Sequence, residues 1–184
     1  MSAVRCVGLD TSLTATGVVA ADGKPITIKP RTSGMPSRLD ELVNGTIHHL
    51  RPCGADVAAV EGLNPHGIQG MTMAKLGAAR EILCWAMWRD GIVVVDIPPS
   101  NLKLYATGKG NAPKEEVWDA AVAASPAGLE PRTNDEGDAF WLRQIALANY
   151  APLHPDLVEM PDDHRRALVV LHWPKLPEHL AVTS

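Results

Sequence analysis

The stretch VRCVGLDTSLTATGVVA, residues 4–20, decides the fold of this chain. An apolar run ends at Asp10, a turn rich in small hydroxyl residues follows, and a second apolar run begins at Gly17. Short apolar runs bounded by turn residues are typical of β-strands. The stretch therefore predicts two strands, Val4–Asp10 and Gly17–Ala21, joined by a tight turn.

The next segments extend this pair into a mixed sheet. Asp22-Gly23 predicts a hairpin into a third strand, Ile26–Lys29, so three antiparallel strands open the chain. Strands and helices alternate after that, which favours an α/β fold with a five-stranded mixed sheet and helices on both faces. The remaining predicted elements are helix Pro36–Leu50, ended by Arg51-Pro52, strand Val57–Val60, loop Leu63–Gly70, helix Met71–Arg89, strand Ile92–Ile97, helices Ser100–Tyr105 and Lys114–Ala124, and helix Asp135–Tyr150.

The chain changes character after Tyr150. Residues 151–184 hold five prolines and four of the seven histidines, with one helical stretch at Asp163–His172. We therefore predict one domain, residues 1–150, and a C-terminal extension, residues 151–184, that wraps on the core or reaches a partner.

Composition sets limits on the location of the protein. No run of 18 or more apolar residues is present, which argues against a membrane span. The three cysteines, Cys6, Cys53 and Cys84, have no metal-ligand spacing, so we expect thiols in a reducing cytoplasm. The net charge of −4 neither indicates nor excludes binding to nucleic acid, because only the clustering of Lys and Arg matters.

Four acidic residues suggest a metal site. Asp10 and Glu61 each follow a predicted strand, while Asp135 and Asp138 are three apart at the start of a helix. Carboxylates brought together repel one another unless cations neutralise them, and oxygen ligands suit Mg²⁺ or Mn²⁺. Taken singly, these acids also fit a capped hairpin, a salt-bridged strand end and a helix N-terminus.

A second group of residues suggests phosphate binding. Gly108-Lys109-Gly110 forms a predicted loop, with Lys103 before it and Lys114 opening the next helix. Backbone amides and lysines in such a loop can hold a phosphate or follow a strand of nucleic acid. Isolated surface lysines more often serve only to keep a protein soluble. This motif therefore supports phosphate binding only in combination with the four acidic residues.

The order of these motifs resembles the RuvC family of Holliday junction resolvases, within the ribonuclease H-like superfamily. The resemblance covers about Val4 to Tyr150. Its five blocks are Gly8-Leu9-Asp10-Thr11-Ser12 with Thr16-Gly17, Val60-Glu61, Ala74–Arg80, Lys103 with Thr107–Lys114, and Asp135–Ala139.

The resemblance implies a metal-dependent endodeoxyribonuclease, a crossover junction endonuclease that acts as a homodimer and nicks symmetric strands of a four-way DNA junction. Asp10, Glu61, Asp135 and Asp138 would be the catalytic acids and would hold two Mg²⁺ or Mn²⁺ ions, and hydrolysis would leave 5′ phosphates. Lys114 would assist catalysis beside the scissile strand. The residues implied in DNA binding are Thr11, Ser12, Asn64, His66, Arg80, Lys103, Lys109 and Lys114.

The sequence departs from the family at one position that matters for specificity. Asn64 stands where the family usually has an aromatic residue that stacks at the junction, and His66 is the nearest stacking candidate. A less specific nuclease for forks, flaps or Y-junctions therefore stays open. Asp10-Thr11-Ser12 also fits a fragment of an actin-like ATPase or kinase, but the chain is too short for the second lobe. No motif identifies a helicase partner, and the short, acidic sequence favours a bacteriophage origin over a bacterial one.

Overall fold

The computed structural model describes residues 4–63, 70–178 and 180. Within them one sheet of five strands has the order β3-β2-β1-β4-β5, which confirms the predicted mixed sheet. The first three strands pair antiparallel, and the last two add to β1 in parallel. The strands are β1 (Cys6–Thr11), β2 (Thr16–Val19), β3 (Pro25–Ile28), β4 (Val57–Glu61) and β5 (Val93–Ile97).

The first two helices cover one face of the sheet. Helices α1 (Met35–Cys53) and α2 (Met71–Arg89) pack on alternate apolar residues of β1, β2 and β4. Since successive side chains of a strand point to opposite faces, this leaves the other residues of each strand for the opposite layer. The buried side chains of this layer are Val7, Leu9, Val18, Ala58 and Val60 from the strands and Ile47, Leu50, Leu83 and Met87 from the helices.

The other face carries α3 (Pro99–Thr107), α4 (Lys114–Ala124) and α5 (Asn134–Tyr150). Helix α5 lies against the central strands, and Trp141 is buried with its indole nitrogen donating to the carbonyl oxygen of Val117 at 3.1 Å. Helices on both faces were predicted, and the structure confirms them. None of the helices in the described ranges is long and apolar enough to cross a membrane.

The predicted extents of two helices were wrong. Helix α1 passes through Pro52 and ends at Cys53, because the stop signal is Gly54, whose left-handed conformation (φ 61°) lets its N–H reach the carbonyl oxygens of Leu50 and Arg51. The helix predicted over Asp163–His172 is only α6 (Asp162–Arg165) followed by a single 3-10 turn, Arg166–Leu168.

Most of the loop predicted at Leu63–Gly70 falls on residues 64–69, which lie outside the described residues. The strands and the other helices agree with the predicted bounds to within two residues.

Candidate metal centre

Strand pairing places the first two acids side by side. Leu9 of β1 pairs with Val60 of β4 in parallel, so the next residues, Asp10 and Glu61, emerge at the same edge of the sheet. Asp10 is buried and Glu61 is half-buried. Apolar residues fill both strands up to this point, and the carboxyls therefore sit where the core ends and the cleft begins.

Helix α5 brings the other two acids to this edge because two glycines let it approach the sheet closely. A side chain on Gly8 would overlap the carbonyl oxygen of Ala139, and one on Gly17 would overlap the carbonyl of Asp135. The helix begins with an N-cap, since the hydroxyl of Thr133 accepts from the backbone N–H of Glu136 at 3.2 Å. Asp135 and Asp138 follow in its first two turns.

The structure brings three of the predicted acids within metal-binding distance of one another. One carboxylate oxygen from each of Asp10, Glu61 and Asp138 lies within 4.8 Å of the other two. Asp135 lines the same cleft, which has a volume of about 320 Å³ and also exposes Thr11. The donor set is all carboxylate oxygen, which fits hard divalent cations such as Mg²⁺ and Mn²⁺.

Burial and mutual repulsion favour the protonated forms of the clustered acids. Burial raises the pKa of Asp10 well above its usual value, and the charges of Glu61 and Asp138 raise it further. Burial and the charge of Glu61 likewise raise the pKa of Asp138 to about 7. Burial also raises the pKa of Glu61, against the opposing effect of a hydrogen bond with Asp10. A cation bound among these oxygens would remove this cost of assembling like charges.

Two of the predicted lysines lie at this cleft. Lys103 on α3 and Lys114 at the start of α4 line it together with the acids, and both favour the charged form of Glu61. Lys109 is placed differently, because its ammonium group pairs with Glu116 at 2.9 Å. The structure thus brings two cations, Lys103 and Lys114, to the acids.

Ser12 lines the cleft and also stabilises the turn that forms one side of it. Its hydroxyl donates to the carbonyl oxygen of Ala15 at 2.6 Å and accepts from the backbone N–H of Ala15 at 3.0 Å. These bonds hold the turn between β1 and β2 beside Asp10. Ser12 therefore shapes the site, in addition to the DNA contact predicted for it.

The structure corrects the role predicted for Arg80. The resemblance implied a DNA contact, but the side chain is 6% exposed. Its guanidinium group donates to the carbonyl oxygen of Glu61 at 2.9 Å and to the carboxylate of Asp96 at 2.6 Å. A guanidinium buried in this way is occupied by the protein, so Arg80 holds the end of β4 and positions Glu61.

Two other predicted DNA-binding residues, Asn64 and His66, lie outside the described residues. Sequence reasoning also missed the role of Glu136, which stands between the two acids of α5. Glu136 is buried and turned away from the cleft. Its carboxylate accepts hydrogen bonds from the hydroxyl of Thr27 at 2.7 Å and from the backbone N–H of Arg132 at 2.8 Å. The only available signal was helical spacing, which puts Glu136 about 100° from Asp135.

The fold and the site define a class: a ribonuclease H-like sheet with a carboxylate centre at the ends of its central parallel strands. No family model matches the chain. A curated relative from Anaeromyxobacter dehalogenans (strain 2CP-C), named crossover junction endodeoxyribonuclease RuvC, is 32% identical over 145 residues, or 73% of this chain and 75% of the relative.

Solved structures agree in fold. The Thermus thermophilus RuvC structure superposes with a TM-score of 0.63 at 23% identity, covering 78% of this chain and 94% of that chain. The same protein in complex with Holliday junction substrate gives a TM-score of 0.61 over 75% of this chain and 89% of that chain, also at 23% identity. This chain belongs to the RuvC family of crossover junction endodeoxyribonucleases.

Proposed function

We propose that this protein is a metal-dependent endodeoxyribonuclease that resolves four-way DNA junctions by symmetric phosphodiester hydrolysis, leaving 5′ phosphates. The observation that carries the proposal is the convergence of Asp10, Glu61 and Asp138 at one end of the parallel strands, in a chain of the RuvC family. Neither the carboxylate cluster nor the family membership supports the alternative interpretation as a fragment of an actin-like ATPase or kinase.

The acids would hold two Mg²⁺ or Mn²⁺ ions. Asp10, Glu61 and Asp138 are close enough to bind a cation together, and Asp135 lines the same cleft and would complete the set of ligands. Ions bound there would activate a water molecule and stabilise the leaving oxygen. The protein contributes a partly buried cluster of carboxylates, which would release their protons when cations bind.

Lys103 and Lys114 would receive the scissile phosphate. Among the described residues they are the two cations that line the cleft with the acids, so they would face the phosphate oxygens that gain negative charge during hydrolysis. Thr11 and Ser12 line the same wall and offer hydroxyl groups to the DNA backbone.

A homodimer would place two such sites on one junction, and α2 offers the surface for it. Ile82, Trp85 and Trp88 lie three residues apart along α2 and are 40%, 54% and 68% exposed. Large apolar side chains clustered on one exposed helix face mark protein–protein contacts. We propose that this stripe pairs with its copy in a second chain, so that two symmetric clefts cut two symmetric strands.

We also propose the division of the chain into a nuclease domain, residues 1–150, and a C-terminal extension, residues 151–184. The site residues all come from the first part. The thiols of Cys6, Cys53 and Cys84 are unpaired in the structure, which suits the reducing cytosol where cellular DNA is processed.

Cleavage of labelled substrates tests the function. A synthetic four-way junction, a three-way fork and a linear duplex would be incubated with the protein and Mg²⁺ or Mn²⁺, and the nicks mapped on each strand. The proposal predicts paired nicks at symmetric positions of the junction and little cutting of the other two. Equal cutting of the fork would indicate the broader branched-DNA nuclease that Asn64 leaves open, and inertness on all three would refute the proposal.

A further inference from the structure

Helix α3, which carries Lys103, packs against a part of the chain that has no role in the proposed site. Residues 161–173, which we call the C-terminal segment, pack on α3, the helix that carries Lys103. Ala167 of this segment is completely buried in the core that also contains Leu102 and Tyr105 of α3. The segment is therefore docked on α3.

The C-terminal segment holds α3 near both ends. Near the start, the side-chain amide of Asn101 donates to the carbonyl oxygen of Ala167 at 2.8 Å. Near the end, Nδ1 of His164 lies 2.9 Å from the carbonyl oxygen of Tyr105 and donates to it. This carbonyl belongs to the last turn of the helix, where backbone oxygens lack partners within the helix.

The imidazole ring of His164 also contacts the turn that follows α3. Gly108 ends the helix in the left-handed conformation (φ 76°), and a side chain there would come within 2.9 Å of Nε2 of His164. The ring thus occupies the space above Gly108, where the glycine-rich loop leaves the helix. Half-buried His164 is held by the helix end and the loop together.

Lys103 stands between the two attachment points and points away from them. It follows Asn101 by two residues and precedes Tyr105 by two, which places it about 200° around the helix from each. It lines the cleft that contains Asp10 and Glu61. A shift or rotation of α3 would therefore move the lysine relative to the acids.

We propose that His164 is a positioning residue of this nuclease: by bonding the last turn of α3 it sets the place of Lys103 against the scissile phosphate. The inference rests on the proposed function, since it assumes that Lys103 contacts the DNA. It assigns a role to the C-terminal segment, which holds no residue of the proposed site.

A double-mutant cycle on junction cleavage tests this role. Five variants would be compared with the wild type for kcat/KM and thermal melting: His164→Ala, His164→Asn, His172→Ala, Lys103→Ala and the double variant Lys103→Ala with His164→Ala. Asparagine can place an amide nitrogen where Nδ1 of histidine lies. His172 is the matched control, because it is an exposed histidine in the same segment.

We expect His164→Ala to lower kcat/KM by about tenfold, since a small misplacement of a substrate-contacting group is costly. His164→Asn should recover most of this loss and His172→Ala should cleave like the wild type. In the Lys103→Ala background, His164→Ala should cost less than about twofold, because residues that act through one another are not additive.

Three results would overturn the inference. The first is unchanged cleavage by His164→Ala, and the second is failure of His164→Asn to recover activity. The third is a tenfold loss from His164→Ala in the Lys103→Ala background as well as in the wild type, which would indicate general destabilisation. An inactive wild type would refute the proposed function itself and this inference with it. An active wild type with an unaffected His164→Ala variant refutes the inference alone.

Discussion

Asp10 and Glu61 follow directly on the paired residues Leu9 and Val60 of two neighbouring parallel strands. The hydrogen-bonded register of the sheet therefore sets the distance between the two carboxyls, and no loop is involved. Functional groups on strands are held more precisely than groups on loops. The same register fixes the position of Asp138, because α5 packs tightly against these strands through Gly8.

The pH dependence of the metal-free protein should reveal the carboxylate cluster. The pKa of Asp138 is raised from 3.8 to about 7, so the folded state binds a proton that the unfolded state releases near pH 4. Stability therefore falls as pH rises from about 4 to about 7, on the order of 3 kcal/mol for this group. Thermal melting in EDTA across this range measures it.

The controls for this titration are two variants and the metal. Asp138→Asn should reduce the pH dependence without abolishing it, because Asp10 and Glu61 still titrate, whereas Asp119→Asn, at an exposed position, should leave it unchanged. Mg²⁺ should raise the melting temperature more at pH 8 than at pH 5, because protons and cations compete for the same oxygens. An equal effect of Mg²⁺ at both pH values would contradict the assigned metal site.

Gly17→Ala should push α5 away from the sheet. The new methyl group would overlap the carbonyl of Asp135. We expect a loss of about 1–3 kcal/mol of stability, as for other overpacked sites, together with loss of cleavage. Chemical denaturation and junction cleavage would be measured on the same preparation.

Gly34→Ala is the matched control for Gly17→Ala, since Gly34 has open space around its Cα and an ordinary φ of −74°. It should be neutral in both measurements. If Gly17→Ala proved as active and as stable as Gly34→Ala, the close approach of α5 would not determine the site.

Substitutions of two neighbouring acids of α5, Glu136 and Asp135, should have opposite effects: one should lower stability and the other should abolish cleavage. Burial raises the pKa of Glu136, but hydrogen bonds from Arg132 and Thr27 outweigh it and hold the pKa below 4.5. Its contribution to stability is thus present above about pH 4.5 and lost on acidification. Glu136→Gln should cost about 1–3 kcal/mol and keep cleavage.

Asp135→Asn should show the opposite behaviour, with cleavage lost and the unfolding free energy kept at neutral pH. Urea denaturation and cleavage rates of the two variants provide the comparison. Loss of cleavage in a folded Glu136→Gln protein would mean that the buried acid takes part in the reaction.

The apolar stripe on α2 should control the oligomeric state. Trp88→Glu places a charge on a surface where the wild-type indole is 68% exposed, so the folded monomer should tolerate it while a dimer through α2 should not. Sedimentation velocity should show a dimer for the wild type and a monomer for the variant.

Leu153→Glu is the control for this stripe, because Leu153 is 96% exposed and lies outside α2. It should remain dimeric. A monomeric wild type, or a Trp88→Glu protein that stays dimeric, would rule out the stripe as the interface.

Periodicity and turn chemistry were enough to predict the sheet and most helices, because the strands are mainly short apolar runs and the turns between them carry Gly, Pro, Asp or small hydroxyl residues. The acids at strand ends were predictable for the same reason, since the end of an apolar run marks the edge of the sheet. Pairing between Asp10 and Glu61 follows once the strands are parallel neighbours.

Long-range side-chain contacts were not predictable. Arg80 carries a charge and lies in a motif, which suggested a DNA contact. Its guanidinium group instead donates to a backbone oxygen of β4 and to the carboxylates of Asp96 and Glu81. His164 had no local signal, because its partner on α3 lies 59 residues away. Such roles depend on tertiary packing, which a single sequence does not encode locally.

The most direct test of the catalytic centre separates cutting from binding in one variant. Asp10→Asn removes a buried carboxylate without changing its shape, so cleavage of the four-way junction should fall by about 10³-fold or more. Binding of the same junction should be kept or tightened, because repulsion between carboxylate and phosphate is lost. Asp22→Asn, in the exposed β2–β3 hairpin, is the matched control and should cleave like the wild type. Abolished cleavage with intact binding is the result we predict; equal loss of both activities, or normal cleavage by Asp10→Asn, would contradict the metal centre assigned here.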